Sequence, residues 1–475
     1  MSNRYPMLIA GEPVRSDRTS AIELPFDGTA VGTVFEATPA QVDAAVDSAA
    51  KAAPLMREMT REQRATILQR AHAKLLERRE ELAFDISNET GKPIKEARIE
   101  VDRAAMTLQH SAAEALRLTG EVIPLDAAPA GKGRWGMTVR EPLGVIAAIT
   151  PFNIPLNLAM HKIGPALAAG NAVVHKPASA TPISGIKLAE IFLDCGLPKG
   201  ALNVITGPGG TVGEQLVFHK DVAMVTFTGS VEVGMKIRAQ AGLKRVTLEL
   251  GGNSAVIIAE DADLDAALPR CVGGAYAHSG QLCISVQRIY VHASRRDEFL
   301  ERFVEGTKRL VVGHPHDAKT DISSLINPKE ADRVVSWIGE AIRSGARLVQ
   351  GGGRSRATIE PAVVAEVPDH VPLSCQEVFG PVVAVNAYEK LDEAIARVND
   401  SAFGLQAGIY TRDMERAFAA AQRVHVGGFM INEVPQYRVD HMPYGGVKNS
   451  GTGREGPKYA IEEMTEAKLI TWKVS

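Results

Sequence analysis

Apolar residues recur at helical spacing between positions 60 and 88, where Ile67, Leu68, Ala71, Leu75, Leu82 and Ile86 share a face. Thr60 with Gln63 three residues on has the form of a capping box, and Gly91 and Pro93 stop the run, so one long helix is expected. A second helical run covers about 94–118 and ends near Gly120. After Pro142 the texture changes. Short, mostly apolar segments at 145–149, 172–175, 202–205, 222–227 and 245–248 read as buried strands. Helices are expected between them, from Pro155 to Gly170 and from about Val231 to Ala241. A third begins with Thr181 as N-cap and Pro182 in its first turn, and Gly196 stands just past its end. Strands alternating with helices through short turns predict a parallel, doubly wound sheet. Beyond Gly252 the alternation resumes, with strands at 256–259, 289–292, 363–367 and 381–384 and a helix at 264–277. This predicts a second α/β domain. The chain shows no internal repeat and no low-complexity linker.

A chain of 475 residues has room for two or three domains at roughly 100–200 residues each. With 53 basic and 56 acidic residues the formal charge is −3, which gives no electrostatic footprint for nucleic acid or an anionic membrane. The four cysteines, Cys195, Cys271, Cys283 and Cys375, form no CxxC pair, so neither a disulfide framework nor a metal site is expected. No secretory pattern or bilayer-length apolar run is found, and a cytoplasmic location is expected.

Parallel sheets of this kind bind ligands beyond the C-terminal ends of their strands. Two segments sit at such ends. In His175-Lys176-Pro177-Ala178-Ser179 the lysine can bond a ribose or phosphate. In Phe227-Thr228-Gly229-Ser230, Gly229 permits close backbone approach and the following helix N-terminus offers free N–H groups to a pyrophosphate. Alone, a glycine in such a turn is structural more often than ligand-binding, and a G-x-G-x-x-G fingerprint in its usual place is missing. Cys283 lies in a glycine-containing loop and reads either as an activated thiol or as a small buried hydrophobe. Glu249 ends a strand before Gly251-Gly252 and reads either as a base or as a cap or ion-pair partner. Asn153 stands between a strand and a helix, where an N-cap is equally natural.

Taken together and in order, these segments resemble the aldehyde dehydrogenase superfamily over essentially the whole chain. The matching motifs are Pro151-Phe152-Asn153, Lys176-Pro177-Ala178-Ser179, Phe227-Thr228-Gly229-Ser230, Glu249-Leu250-Gly251-Gly252, Gly280-Gln281-Leu282-Cys283 and Glu377-Val378-Phe379-Gly380-Pro381. The stretch 443–451 is similar to that family as well, and 443–455 looks closest to its lactaldehyde and glyceraldehyde-3-phosphate members. The resemblance implies an NAD(P)-dependent oxidation of an aldehyde to a carboxylate through a thiohemiacetal and a thioester. Cys283 would be the nucleophile, Asn153 and the Cys283 N–H the oxyanion hole, Glu249 the base for water and Lys162 the proton-relay lysine. Thr150, Pro151, Lys176, Ser179, Gly213, Phe227, Gly229, Ser230, Leu250, Glu377 and Phe379 would meet the cofactor. Many NAD-preferring members carry a glutamate where this chain has Ser179, so NADP should be accepted or preferred.

The same resemblance marks Arg103, Asn157, His161, Leu282, Ile284, Tyr437 and Arg438 as lining the substrate tunnel. Arg103, His161 and Arg438 are expected to bind an anionic group at the far end of the aldehyde, as in lactaldehyde- or succinate-semialdehyde-type substrates. The plainer reading of Arg103 is a surface or interface ion pair. Phosphate-specific members carry an arginine just before the nucleophile, where this chain has Leu282. A CoA-acylating enzyme and a non-catalytic protein of the same fold are the rival readings; Glu249 argues against the first and the intact Cys283, Glu249 and Asn153 set against the second.

The implied architecture is a Rossmann-like cofactor domain over 1–119 and 141–250 and a catalytic α/β domain over 251–435. Segments 120–140 and 456–475 would form a small β oligomerisation part, and 436–455 an anchor loop returning to the cofactor domain. The tail 467–474 would add a strand to a neighbouring subunit, giving a homodimer or homotetramer.

Overall fold

A computed structural model describes residues 3–474. Two large sheets carry the fold. The first has eight strands in the spatial order Gly451–Thr452, Arg245–Glu249, Val222–Thr228, Val145–Ile149, Ala172–Lys176, Leu202–Val204, Met7–Ile9 and Glu12–Val14. Its five central strands are parallel and its edges are closed by antiparallel strands. The parallel core starts at Val145–Ile149, winds outward through two strands, then returns to the other side through Val222–Thr228. The point of reversal lies between the C-terminal ends of Val145–Ile149 and Val222–Thr228, where an open α/β sheet leaves a crevice.

The second sheet has seven strands, ordered Arg347–Gln350, Ala362–Ala365, Val382–Tyr388, Val286–His292, Ser254–Ile258, Gln406–Tyr410 and Gly428–Ile431, parallel except at the first edge. Each sheet has its own buried apolar core. A three-stranded antiparallel sheet stands apart, joining Val122–Ile123, Arg134–Pro142 and the tail strand Thr465–Lys473.

Three expectations are corrected. The helical run at 60–88 is two helices, Arg61–Glu77 and Arg79–Thr90, broken at Arg78 (φ −95°, ψ 18°). The second piece turns to pack on the helix Ile183–Asp194, to which it is tied by Lys187 with Glu81 and Asp85. The N-cap position of that helix is Pro182 rather than Thr181, with no side-chain cap of its own. The buried Glu89 carboxylate accepts from the Ile183 N–H at 2.8 Å and from the Ser184 N–H at 3.2 Å. Finally, the helix Pro457–Glu463 buries Ala460 and Ile461 in the first core, so only the tail from Thr465 projects with the small sheet. Sequence patterning also missed the helix Pro39–Glu58, although Thr38 and Gln41 close a complete capping box at its start.

Candidate active site

Two helices and one loop build the site. The strand Val145–Ile149 delivers Thr150, Pro151 and Asn153, and the wholly buried helix Pro155–Ala169 follows with Asn157, His161 and Lys162. Its first turn has no cap of its own. Glu100, on the neighbouring helix Ile94–Arg117, accepts from the Leu156 N–H at 2.9 Å and the Asn157 N–H at 3.3 Å, with its charge balanced by buried Lys92. One turn earlier on the same helix, Glu96 accepts from the His278 N–H at 2.7 Å. A single helix thus fixes both the helix Pro155–Ala169 and the loop that carries Cys283.

That loop is strained. His278, Ser279 and Gly280 have φ of 48°, 54° and 74°, a left-handed run that costs non-glycine residues about 1–3 kcal/mol each. It is held by Ser279, which bonds Ser323 in both directions, and by Gln281, which accepts from the Ile326 N–H at 2.9 Å. Two glycines admit it. A Cβ on Gly280 would lie 2.1 Å from the Gly380 carbonyl oxygen, and one on Gly252 would lie 2.1 Å from that of Cys283. Gly252→Ala is therefore expected to displace the cysteine and lower kcat about 100-fold. Steady-state kinetics beside a far-ultraviolet spectrum checks this, the spectrum remaining native.

Cys283 Sγ lies 2.9 Å from the Tyr444 hydroxyl. Burial pushes its thiol up to about 12, opposed by that hydrogen bond. Asn153, also buried, donates one amide hydrogen to the Gln281 carbonyl at 2.7 Å, which orients its side chain beside the cysteine loop. Glu249 is buried with neither carboxylate oxygen bonded to protein. Burial, then the neighbouring Glu455, raise its pKa well above the usual carboxylate range. Glu455 goes the other way. Burial alone would raise it, but Lys162 at 2.9 Å and Arg438 at 3.0 Å hold it down at about 2. Lys162 also donates to Thr226 at 3.2 Å. Arg438 lies 3.7 Å over the Tyr444 ring, so a continuous polar path runs from Cys283 through Tyr444, Arg438 and Glu455 to Lys162. Two carboxylates with opposed proton affinities beside a thiol are an arrangement suited to acid–base work.

A cleft opens beside the reversal point of the first sheet, lined by Ile149, Lys176, Gly213, Phe227, Val233 and Ile237, among others. It fits a dinucleotide. Lys176 is buried with its ammonium bonded only to the Pro177 carbonyl, and burial lowers its pKa to about 8, so it lacks an anionic or hydroxyl partner. Gly213 leaves the backbone open beside it, and the helix beginning at Ser230 presents its N-terminus, the Ser230 hydroxyl accepting from the Val233 N–H. Ser179 is exposed and donates to the Gly207 carbonyl at 2.9 Å. Gly229 donates its N–H to the Glu249 carbonyl, and Leu250 donates its own to that of Ser450. Toward the cysteine, Glu377 accepts from the Gly252 N–H at 2.8 Å, its carboxyl raised by burial to about 7. Phe379, at φ 49°, packs edge-on to Phe152.

Arg103, Asn157, His161 and Arg438 do come together, around a residue the sequence did not single out. Asp440 accepts from Arg103 at 2.8 Å, from Asn157 at 3.0 Å and bonds His161 at 3.0 Å; His161 in turn meets Arg438 at 3.1 Å. Ile284 is buried with Leu405 and Tyr444, Leu282 is half-buried, and Tyr437 is exposed.

The profile of the aldehyde dehydrogenase family matches residues 14–470. The chain belongs to the aldehyde dehydrogenase family. It is 51% identical over 467 residues to the 3-sulfolactaldehyde dehydrogenase of Priestia aryabhattai, covering 98% of each chain. It is 39% identical over 468 residues to the lactaldehyde dehydrogenase of Methanococcus aeolicus, covering 98% of this chain and 99% of that one. Its structure matches aldehyde dehydrogenase 21 of Physcomitrella patens, solved with the reaction product succinate, with a TM-score of 0.97, 38% identity and coverage of 100% and 99%. It matches the NADP-dependent glyceraldehyde-3-phosphate dehydrogenase of Bacillus halodurans, solved with NADP, with a TM-score of 0.97, 36% identity and full coverage of both. This aldehyde dehydrogenase has the family's Rossmann-like cofactor domain, α/β catalytic domain and small β region. It oxidises an aldehyde to a carboxylate with NAD(P) through a covalent cysteine intermediate. The motifs singled out Cys283, Glu249, Asn153 and Lys162 but not Tyr444, Asp440 or Glu455, which bond Cys283, Arg103 and Lys162 respectively. A signal was present: three expected site cations, Arg103, Lys162 and Arg438, need carboxylate partners when buried.

Proposed function

We propose that this enzyme oxidises a short aldehyde carrying an anionic tail, of the sulfolactaldehyde or succinate-semialdehyde type, and releases the acid by hydrolysis. The observation that carries the reading is the charge count beside Cys283. Arg103, Arg438 and Lys162 share one hydrogen-bonded cluster with two ionised carboxylates, Asp440 and Glu455, so one positive charge is left over. His161 adds none, because burial, then Arg438, lower its pKa. The 51% identity to a 3-sulfolactaldehyde dehydrogenase supports the same tail chemistry.

In this reading Cys283 Sγ attacks the aldehyde carbon, and the Asn153 amide with the Cys283 N–H holds the resulting oxyanion. Each such donor lowers the barrier by about 3 kcal/mol. Lys176, the turn at Gly229 and Ser230, Glu377 and the neighbouring residues Thr150, Pro151, Gly213, Phe227, Leu250 and Phe379 would hold NAD(P), which would supply the hydride acceptor. Glu249, once deprotonated, takes a proton from the water that opens the thioester, and Lys162, held in place by Glu455, is the relay lysine of this reading. Ser179 places no negative charge at the ribose, which supports use of NADP. Saturation curves for NAD and NADP with one aldehyde test this, NADP being expected to give at least the higher kcat/KM.

Arg103→Ala is expected to raise KM for an anionic aldehyde about 10- to 100-fold and to leave KM for lactaldehyde within about threefold. Formation of NAD(P)H at 340 nm across both substrates measures it. Equal, unchanged KM values would remove the anion site. Acyl-CoA as product, with turnover faster on adding CoA, would establish the acylating alternative instead of hydrolysis.

The same proposal divides the chain into cofactor, catalytic and oligomerisation parts at the boundaries given above, adjusted for the helix Pro457–Glu463. Assembly as a dimer or tetramer is supported by the small sheet, where Trp135, Leu469, Ile470 and Trp472 are exposed and the tail strand pairs on one side only. Among the described residues no helix is long and apolar enough to cross a membrane. All four cysteines are free, which supports a reducing, cytoplasmic setting.

A further inference from the structure

We infer that Asp440 sets the charge of the tail subsite, so that this enzyme takes a monoanionic tail, sulfonate or carboxylate, and disfavours a phosphate dianion. The inference deepens the anionic-aldehyde reading and rests on it. Asp440 is buried and sits at the centre of the cluster rather than at its rim. One of its oxygens accepts from Arg103 at 2.8 Å and Asn157 at 3.0 Å and bonds His161 Nε2 at 3.0 Å; the other faces Arg103 Nε at 3.2 Å. The fork of Arg103 that would grip an anion bidentately is thus already occupied by a carboxylate. What Arg103 has left is one guanidinium nitrogen, and Arg438 Nε is a further donor without a protein partner.

These spare donors suit a tail of charge −1. A sulfonate or carboxylate carries that charge at neutral pH. A phosphate monoester carries about −1.5 to −2 at pH 7. A phosphate would therefore bring up to one negative charge more than the cluster can balance, next to Asp440 itself, and like charges at such range are costly in a site shielded from water. The surroundings do not offset this. Burial lowers the pKa of His110, which faces His441 and Asp440, and Glu114 also bears on it. On the far side the Glu455 charge is already held by Lys162 and Arg438. Arg454 donates to backbone carbonyls beside Glu249 and makes no bond within the cluster. Leu282, just before the cysteine, adds no further cation.

Asp440 acts through Arg103 and His161, so it is a positioning and charge-setting residue. The test compares kcat/KM for 3-sulfolactaldehyde and glyceraldehyde 3-phosphate at pH 7.5, each divided by that for lactaldehyde. The division cancels any general loss of activity. In the natural enzyme the sulfonate ratio should exceed the phosphate ratio by at least about tenfold. In Asp440→Asn, which keeps the size and an acceptor oxygen, both ratios should rise through KM. A dianion feels the removed charge twice, so the gain for phosphate should approach the square of the gain for sulfonate. If that variant does not fold, the ratio in the natural enzyme still decides. Phosphate used as well as sulfonate, or both ratios moving equally in Asp440→Asn, would overturn the inference while leaving the anion site standing. Lactaldehyde used as well as either anion would overturn the anion site itself.

Discussion

Cys283→Ser is expected to lower NAD(P)-dependent aldehyde oxidation by about four orders of magnitude or more. Serine preserves the size of the side chain and the hydrogen bond to Tyr444, so the loop from His278 to Gly280 keeps its strained path and the protein its melting temperature. What is lost is the sulfur. An alcohol is a far weaker nucleophile than a thiol at neutral pH, and no other described group within bonding distance of Tyr444 Oη replaces it. The free enzyme already holds this thiol high, at about 12, because burial outweighs the Tyr444 hydrogen bond. A higher pH favours the thiolate. The first half of the reaction should therefore speed up as pH rises from about 6.5 to 8.5, and a stopped-flow record at 340 nm of the first turnover would show it.

Glu249→Gln should separate the two halves of the reaction. With no base for water, the first turnover proceeds and the thioester then persists, so NAD(P)H forms in a burst of about one equivalent per site. The steady rate that follows should fall about 100- to 1000-fold. The sign with pH follows from the raised pKa. Burial and the nearby Glu455 raise the pKa of Glu249, and only its deprotonated form can accept a proton from water. Thioester release in the natural enzyme should thus increase with pH, and that dependence should vanish in the Gln variant. Glu455, held ionised by Lys162 and Arg438, does not compete for the proton until the pH is far lower.

The alternation of strands and helices between 145 and 259 was readable because a parallel sheet covered on both faces leaves short, nearly continuous apolar runs. The break at Arg78 was not readable. Local propensity favours helix through it, and only the packing of Arg79–Thr90 on Ile183–Asp194 decides the turn. The same distinction holds in the site. Cys283, Glu249 and Asn153 stand at strand ends and in glycine turns, and their order along the chain gives them meaning. Glu455, Tyr444 and Asp440 lie in a stretch with no periodicity, more than 150 residues from the cysteine, and reach it only because Gly451–Thr452 pairs onto the first sheet. Arg103 was expected either to meet the substrate's anionic tail or to form an ion pair; it is half-buried and pairs with Asp440 from 337 positions away.

The most direct test is peptide mass spectrometry of Glu249→Gln, quenched with acid after one turnover with NADP and 3-sulfolactaldehyde. The account predicts a single acyl adduct, of the mass of the sulfolactate acyl group, on the peptide that contains Cys283. An adduct on another residue, or a burst of NADPH with no adduct on the protein, would contradict it.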